Sequence, residues 1–415
     1  MKVVSFIVEY NPFHYGHLYH LNKSKEITGC DYSVAVMSGS FVQRGEPSLI
    51  DKWSKAKMAV ENGVDLVIEM PTIYSIQSAE LFALGGIKLL NSLNIIDYIS
   101  FGSEIGYIEP LKILAELFVE EPNEYKSLLK KHLDNGLSFS IARSNATVEY
   151  LSKRRNVKYD FKNILESSNN ILAIEYLKIL YKYNFDIIPI TINRVGQGYK
   201  EEDISNTIAS ATAIRKELFN NNLDIVKNNL PPKSYNILLD YLHRYQYFNK
   251  LDNYSKILMY LLRTVDKETL LQILDMENGL ENRLIKYGLK YNSITQVIDE
   301  TTTKRYPKSR IQRILIQLLL NLDKKTFIRL NNSYPNYIRV LGMNEKGMFL
   351  LRKIKSNSKL PIINRFSDYY KYKNPYLDEI IQYDKIATDL FFLGLGTNQI
   401  NLGNKDFTTS PYINK

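Results

Sequence analysis

The chain has a single cysteine, Cys30, so it can form no intramolecular disulfide and no cysteine-based zinc site. A reducing cytoplasm suits that composition. No apolar run approaches the roughly 20 residues that a membrane-spanning helix needs, and the apolar opening stretch 2–8 is interrupted at Glu9, too early for a secretory signal. No membrane partner is expected. Internal repeats, low-complexity tracts and a Gly/Ser/Pro-rich hinge are also missing, and Asn220-Asn221-Asn222 and Pro231-Pro232 give the only soft boundary near the middle. The histidines and carboxylates show no convincing metal-ligand spacing, so no resident metal is expected.

What is present suits a two-domain globular protein of 415 residues, 45% apolar and 24% charged. The net charge of +10 is uneven: residues 1–215 carry 23 Lys+Arg against 25 Asp+Glu, and residues 216–415 carry 31 against 19. A near-neutral half beside a basic half is the charge pattern of one unit that does chemistry and another that holds a polyanion.

Residues 2–8 are rich in β-branched and apolar side chains, and a Pro/Gly loop and a helical pattern over 17–27 follow them. The unit recurs, with strands expected at 33–37, 64–68 and 97–101 and helices at 51–62, N-capped by Ser48, and 78–90. Residues of about 108–182 read as a helical insertion before a last strand at 185–192 and a closing helix at 210–219. The expected fold is α/β: a Rossmann-like parallel sheet with right-handed crossovers over residues 1–220, then a mainly α-helical domain over 221–415.

In such sheets ligands bind beyond the carboxyl ends of the strands, which places the loop Glu9–Gly16 at a nucleotide site. Three of the five histidines, His14, His17 and His20, fall there, the last two on one face of the opening helix. Gly16 admits close backbone approach, the helix N-terminus offers amide donors, and histidines of near-neutral pKa can donate to phosphate oxygens. A second element, Ser210-Ala-Thr-Ala-Ile-Arg215, opens a helix with hydroxyls at Ser210 and Thr212 and a cation one turn on at Arg215, a phosphate-binding arrangement. The pair of elements resembles the two signatures of the HIGH-type nucleotidyltransferase superfamily, in which the first grips ATP and the second steadies pyrophosphate. The SerAlaThr of this chain departs from the commoner SerSerThr and leaves Ser210, Thr212 and Arg215 as candidates.

The stretches 8–20, 35–47, 63–71, 101–104 and 169–178 further resemble the tRNA(Met) cytidine acetate ligase family, with thinner likeness through 303–306 and 339–342. That resemblance implies activation of acetate by ATP as acetyl-adenylate, with Mg²⁺ arriving on the ATP phosphates. Acetyl transfer to N4 of the wobble cytidine of elongator tRNA(Met) would follow. It implies an ATP site lined by Ile7, Val8, Glu9, Tyr10, Asn11, Pro12, Phe13, His14, Tyr15, Gly16, His17, Leu18, Tyr19 and His20, by Gly102, by one of Asn169 and Asn170, and by Arg194. His14 and His17 are the candidate catalytic pair, stabilising charge on the phosphates. Gln43 and Arg44 are candidates for the acid pocket or the RNA approach, whereas Asp65 and Glu69 read as strand-end carboxylates.

In the basic half, Lys304, Arg305, Lys308, Arg310 and Arg313 place five cations in ten residues without an acid, with Tyr306 among them, as tRNA phosphate contacts would require. Two other functions fit the same features. A cofactor-pathway adenylyltransferase acting on a small phosphorylated metabolite would not need the basic half, and a non-catalytic RNA-binding protein would not need the His14/His17 pair.

Overall fold

The computed structural model describes residues 1–153, 159–194, 209–396 and 402–415; most of the polar loop expected between the last strand of the first half and Ser210 lies outside them. The strands are β1 (Val3–Val8), β2 (Tyr32–Ser38), β3 (Phe41–Val42), β4 (Glu46–Pro47), β5 (Leu66–Met70), β6 (Tyr98–Ser103), β7 (Ile188–Asn193), β8 (Ile338–Met343), β9 (Ile362–Ile363) and β10 (Tyr412–Ile413). β3 and β4 make a small hairpin. The others form one sheet in the order β10-β8-β5-β2-β1-β6-β7, with β9 beside β8.

The five strands from β5 through β7 are mutually parallel, as their continuous apolar runs require, because both faces must be covered by helices. Side chains alternate between two cores. Val34, Val36, Leu66 and Ile68 belong to one, and Ala35, Met37 and Val67 to the other. On the first face the helix Ala79–Ser92 lies very close to β1: a Cβ on Gly86 would stand 2.5 Å from Ile7 Cδ1, so only glycine fits. The chain steps from β1 to β2 to β5 in one direction and then returns to put β6 on the other side of β1. The crevice between the carboxyl ends of β1 and β6 is therefore the switch point where a ligand belongs.

Three features go beyond the sequence expectation or differ from it. The segment after residue 220 is mainly helical as expected, but it also carries β8, which pairs antiparallel with β5, and β9 and β10, which pair with β8. Strands from the basic half thus complete the sheet of the first half. The helix Lys52–Glu61 is capped by Asp51, whose carboxylate accepts from the amides of Trp53 and Ser54 at 2.9 Å, rather than by Ser48. Asp outcompetes Ser here because it sits at the helix boundary, and the Ser48 hydroxyl instead donates to Gly39 O at 2.8 Å.

Glu69 lies near the end of β5, as read from the sequence, but it is buried. It receives Lys52 Nζ at 2.8 and 3.0 Å, and Lys52 also pairs with Asp406 at 2.8 Å. Arg339 of β8 lies 3.5 Å from the same Asp406, and Asp384 accepts from Thr72 N at 2.7 Å and from the Tyr337 hydroxyl. Buried charges survive only when paired, and here two cations and three acids from both halves satisfy one another. Asp65 does sit at its strand start, accepting from Ser33 N and Ser33 Oγ at 2.8 Å and from Asn344 Nδ2 at 2.9 Å.

Candidate active site

The loop after β1 is held from several sides. Glu9 accepts from Gln43 N at 2.8 Å, Asn11 Oδ1 accepts from Leu49 N at 2.7 Å, and Lys55 Nζ donates to Glu9 O at 3.1 Å and Ser38 O at 2.7 Å. Lys55 is wholly buried among neutral oxygens, and burial pulls its pKa down to about 7. Gln43 is committed to this bracing, since its side-chain amide also donates to Gln77 O at 3.1 Å. Sequence reasoning passed over Lys55 because a lysine inside a helix reads as a solvated one.

His14 caps the helix Tyr15–Thr28 in an unusual way. Its Nδ1 accepts from Gly16 N at 3.0 Å, while His17 Nδ1 accepts from His14 N at 3.3 Å, and the two rings lie tilted by 30° with centroids 3.8 Å apart. Each neutral ring has one donor and one acceptor nitrogen. With both Nδ1 atoms accepting backbone N–H groups, the protons sit on Nε2, and each ring keeps one N–H donor without a partner among the described residues. Tyr10 and Phe13 wall the pair, with centroids 4.9 and 5.7 Å from the His17 ring.

The near-neutral pKa expected of these histidines is overturned. Burial first, and then the charge of Arg194, lowers His14 to about 3. His17 falls well below its usual value through burial, with the charges of His14, Arg194 and His20 adding to it. Neutral donors remain at physiological pH, so a phosphate meets fixed N–H groups and no proton equilibrium. His20 is not brought to this pair. Its Nε2 meets Ser100 Oγ at 2.9 Å, its ring packs edge-on against Phe6, and it ties the helix to β6.

Across the crevice, Gly102, Arg194, Asn169 and Asn170 are brought together. Arg194 donates from its amide to Ser103 O and from Nη1 to Asn169 Oδ1, both at 3.1 Å. A Cβ on Gly102 would stand 3.0 Å from Arg194 Cγ. Neither asparagine is a helix N-cap, a position held by Ser167; both lie in the first turn of the helix Ser168–Tyr183. Their amides point at Glu104, whose carboxylate accepts from Asn169 N at 3.2 Å, Asn169 Nδ2 at 2.6 Å and Asn170 N at 2.8 Å. Asn170 Oδ1 accepts in return from Glu104 N at 2.9 Å. Glu104 escaped sequence reasoning, although the Gly-Ser-Glu exit of a strand facing a helix start was its signal.

The second signature behaves as an N-cap plus a cation that reaches inward. Ser210 Oγ accepts from Ala213 N at 3.2 Å, and Arg215 Nη1 donates to Asn11 O at 3.0 Å, which joins the two signatures directly. Arg215 also lies 3.3 Å from Glu46, and Thr212 is exposed beside it. Among the described residues no group of three or more His, Cys, Asp or Glu side chains could hold a metal ion.

The basic cluster 304–313 is only partly a free cationic face. Arg310 and Arg305 pair with Glu277 at 3.0 and 3.2 Å, Lys308 pairs with Asp299 at 2.9 Å, and Arg313 is buried against Asp275 at 3.3 Å. Of the five cations, Lys304 alone is exposed without an ion pair among the described residues. Arg313 is held inward because its helix docks on the β3–β4 turn, where a Cβ on Gly45 would come within 2.3 Å of Arg313 N.

Comparison with known proteins agrees with this geometry. The family described as HIGH Nucleotidyl Transferase matches residues 1–406. Proteins named tRNA(Met) cytidine acetate ligase from Thermoanaerobacter sp. (strain X514) and Clostridium perfringens (strain ATCC 13124) are 45% and 43% identical. The first alignment covers 96% of this chain and 97% of the relative, the second 100% of both. The crystal structure of Thermotoga maritima TmcAL bound with alpha-thio ATP superposes with a TM-score of 0.93 at 33% identity, over 100% of this chain and 99% of that one. A β1 exit loop bearing paired neutral histidines, a second signature reaching back to it, and near-full-length identity of this order place the chain in the tRNA(Met) cytidine acetate ligase family of HIGH nucleotidyl transferases.

Proposed function

We propose that this chain uses ATP to activate acetate as acetyl-adenylate and transfers the acetyl group to N4 of the wobble cytidine of elongator tRNA(Met), in the cytoplasm. The observation that carries this is the His14/His17 pair at the switch point, with both Nδ1 atoms committed to backbone amides and both Nε2–H groups without a partner among the described residues. ATP lies along Ile7–His20, with Gly102, Asn169 and Arg194 across the crevice and Ser210, Thr212 and Arg215 at the phosphate end.

An acetate oxygen attacks the α-phosphorus, the bond to the β-phosphate oxygen breaks, and pyrophosphate leaves. The Nε2–H groups of His14 and His17 and the Arg194 guanidinium stabilise the negative charge that grows on the phosphate oxygens, while Arg215 steadies the leaving group. Cytidine N4 then attacks the acetyl carbonyl carbon, AMP departs, and N4 loses a proton. The two histidines present N–H donors, not ligand lone pairs, and among the described residues no cluster could hold a metal ion by itself; Mg²⁺ would enter as a companion of the ATP phosphates.

We further propose that residues 1–220 carry this chemistry and that the basic half holds the tRNA. Acetate-dependent ATP–pyrophosphate exchange, followed by nucleoside analysis of tRNA(Met) for N4-acetylcytidine, tests the assignment. Exchange with no dependence on an acid, or an acid-dependent exchange without modified cytidine, would overturn it.

A further inference from the structure

The helix Ala211–Phe219 begins at the second signature and runs beside two adjoining cavities, the first of which shares Thr212 and Arg215 with the proposed phosphate end of the ATP site. One, about 310 Å³, is bounded by Thr212, Arg215 and Lys216 on that helix and by Glu46 and Lys250 opposite. The other, about 440 Å³, continues past Tyr247 and Leu393. Phe219 and Lys250 line both, so the two adjoin at these side chains and together make up one groove-like surface. Each volume falls within the range typical of built ligand sites.

Its chemistry is selective. Phe219 is 42% exposed and Tyr247 51%, so both rings are open to a ligand in the groove. Cations lie beside them: Lys250 sits 5.8 Å from the Phe219 ring centroid, and Lys216 is exposed without an ion pair among the described residues. The single acid, Glu46, is already engaged by Arg215 at 3.3 Å and by Gln312 Nε2 at 3.2 Å, so the groove keeps a positive balance. One end is anchored at the nucleotide loop, where Arg215 reaches Asn11 O.

We propose that this groove binds an unpaired stretch of the RNA substrate, with a base stacked on Phe219 and the neighbouring phosphates on Lys250 and Lys216. It thereby leads the reacting cytidine toward the adenylate. Stacking faces alternating with cations are what single strands require, whereas a duplex hides its base faces and offers only phosphates. The identity of the strand as substrate rests on the ligase reading above; the binding of unpaired RNA does not. The groove also offers the polyanion a path that the cluster 304–313, largely neutralised by its own acids, does not.

The test uses the full-length chain, fluorescently labelled oligocytidylate, and a blunt RNA duplex of equal phosphate count, read by anisotropy at several salt concentrations. Phe219→Ala weakens oligocytidylate binding by about five- to a hundredfold, as loss of one stacking platform does. Phe219→Tyr keeps it, and the duplex is unaffected by either change. Lys250→Ala reduces the slope of log affinity against log salt by about 0.7, the value for one single-strand phosphate contact. Unchanged oligocytidylate binding in Phe219→Ala, or equal losses for strand and duplex, overturns the proposal. Should Phe219→Ala unfold, Tyr247→Ala combined with Lys250→Ala, both at exposed positions, decides by the same criteria. Pyrophosphate exchange by the unaltered protein is measured alongside: its absence would sink the ligase reading and leave the groove result standing.

Discussion

His14 does two jobs that one substitution can pull apart. Its Nδ1 caps the helix by accepting from Gly16 N at 3.0 Å, and its Nε2–H is the donor assigned to the phosphates. Alanine removes both. Asparagine places an oxygen close to where Nδ1 lies and is among the best N-caps, so His14→Asn keeps the cap and loses the donor. Loss of a cap costs about 0.5–2 kcal/mol of stability, and His14 is buried, so the alanine variant also leaves a cavity. Loss of one preorganised donor costs about 2.7–4 kcal/mol in the transition state, a hundred- to a thousandfold in rate. The two variants should therefore differ in urea unfolding midpoint, with asparagine nearer the parent, yet fall together in acetate-dependent pyrophosphate exchange at saturating ATP. His14→Asn with exchange within a few-fold of the parent would show that His14 only caps the helix, and the assignment of the first signature would fail.

Gly102→Ala should raise KM for ATP more than it lowers stability, because the new methyl presses on Arg194 Cγ from 3.0 Å and tilts the guanidinium; unchanged KM would mean Arg194 does not touch ATP. The acid limb of stability should carry the signature of buried neutral histidines. His14 and His20 titrate near 3 and 4 when folded and near 6.5 when unfolded, so the unfolded chain takes up protons first and stability is lost as pH falls from about 6.5 toward 3–4. His20→Gln should flatten that loss in urea titrations at stepped pH. Replacing Lys304, Arg305 and Lys308 with Ala should lower the salt slope of tRNA binding by about 0.7–0.9, the value of one contact and not three, because Arg305 and Lys308 are already paired with Glu277 and Asp299. A fall of 2 or more would mean that tRNA displaces those acids.

Much of the first half was legible because its signals are local. Apolar runs that end in Gly, Ser or Pro read as strands wherever both faces are buried, and Ser210 caps its helix as its position before Ala211 foretold. The parts that escaped depend on residues far apart in sequence. The pairing of β8 with β5 joins segments whose apolar patterns say nothing about direction or partner. The neutralisation of Arg313 needs Asp275, 38 residues away. The histidine pairing escaped for a subtler reason: helical periodicity groups His17 with His20, but the cap position turns His14 onto His17 and leaves His20 to Ser100.

Those long-range contacts bear on how the two halves work as one. The outer edge of β5 is covered by β8, and the buried Glu69 of β5 depends on Lys52, which depends in turn on Asp406 near the C-terminus. A chain cut after the second signature would bare Leu66, Val67 and Ile68, all fully buried, along an open strand edge, and would leave Lys52 with half its counter-charge. The site is linked to the basic half on its other side as well, through Asn11, Arg215, Glu46 and Gln312 in unbroken sequence. Gln312 stands next to Arg313 on a helix that cannot shift without moving the β3–β4 turn, because Gly45 leaves no slack against it. An RNA that reorients this helix would therefore act on Arg215, the cation we propose stands at the leaving pyrophosphate. The division of labour we propose between the halves is thus one of chemistry, not of structure: the residues proposed for adenylation lie in the first half, but their placement is held by the second.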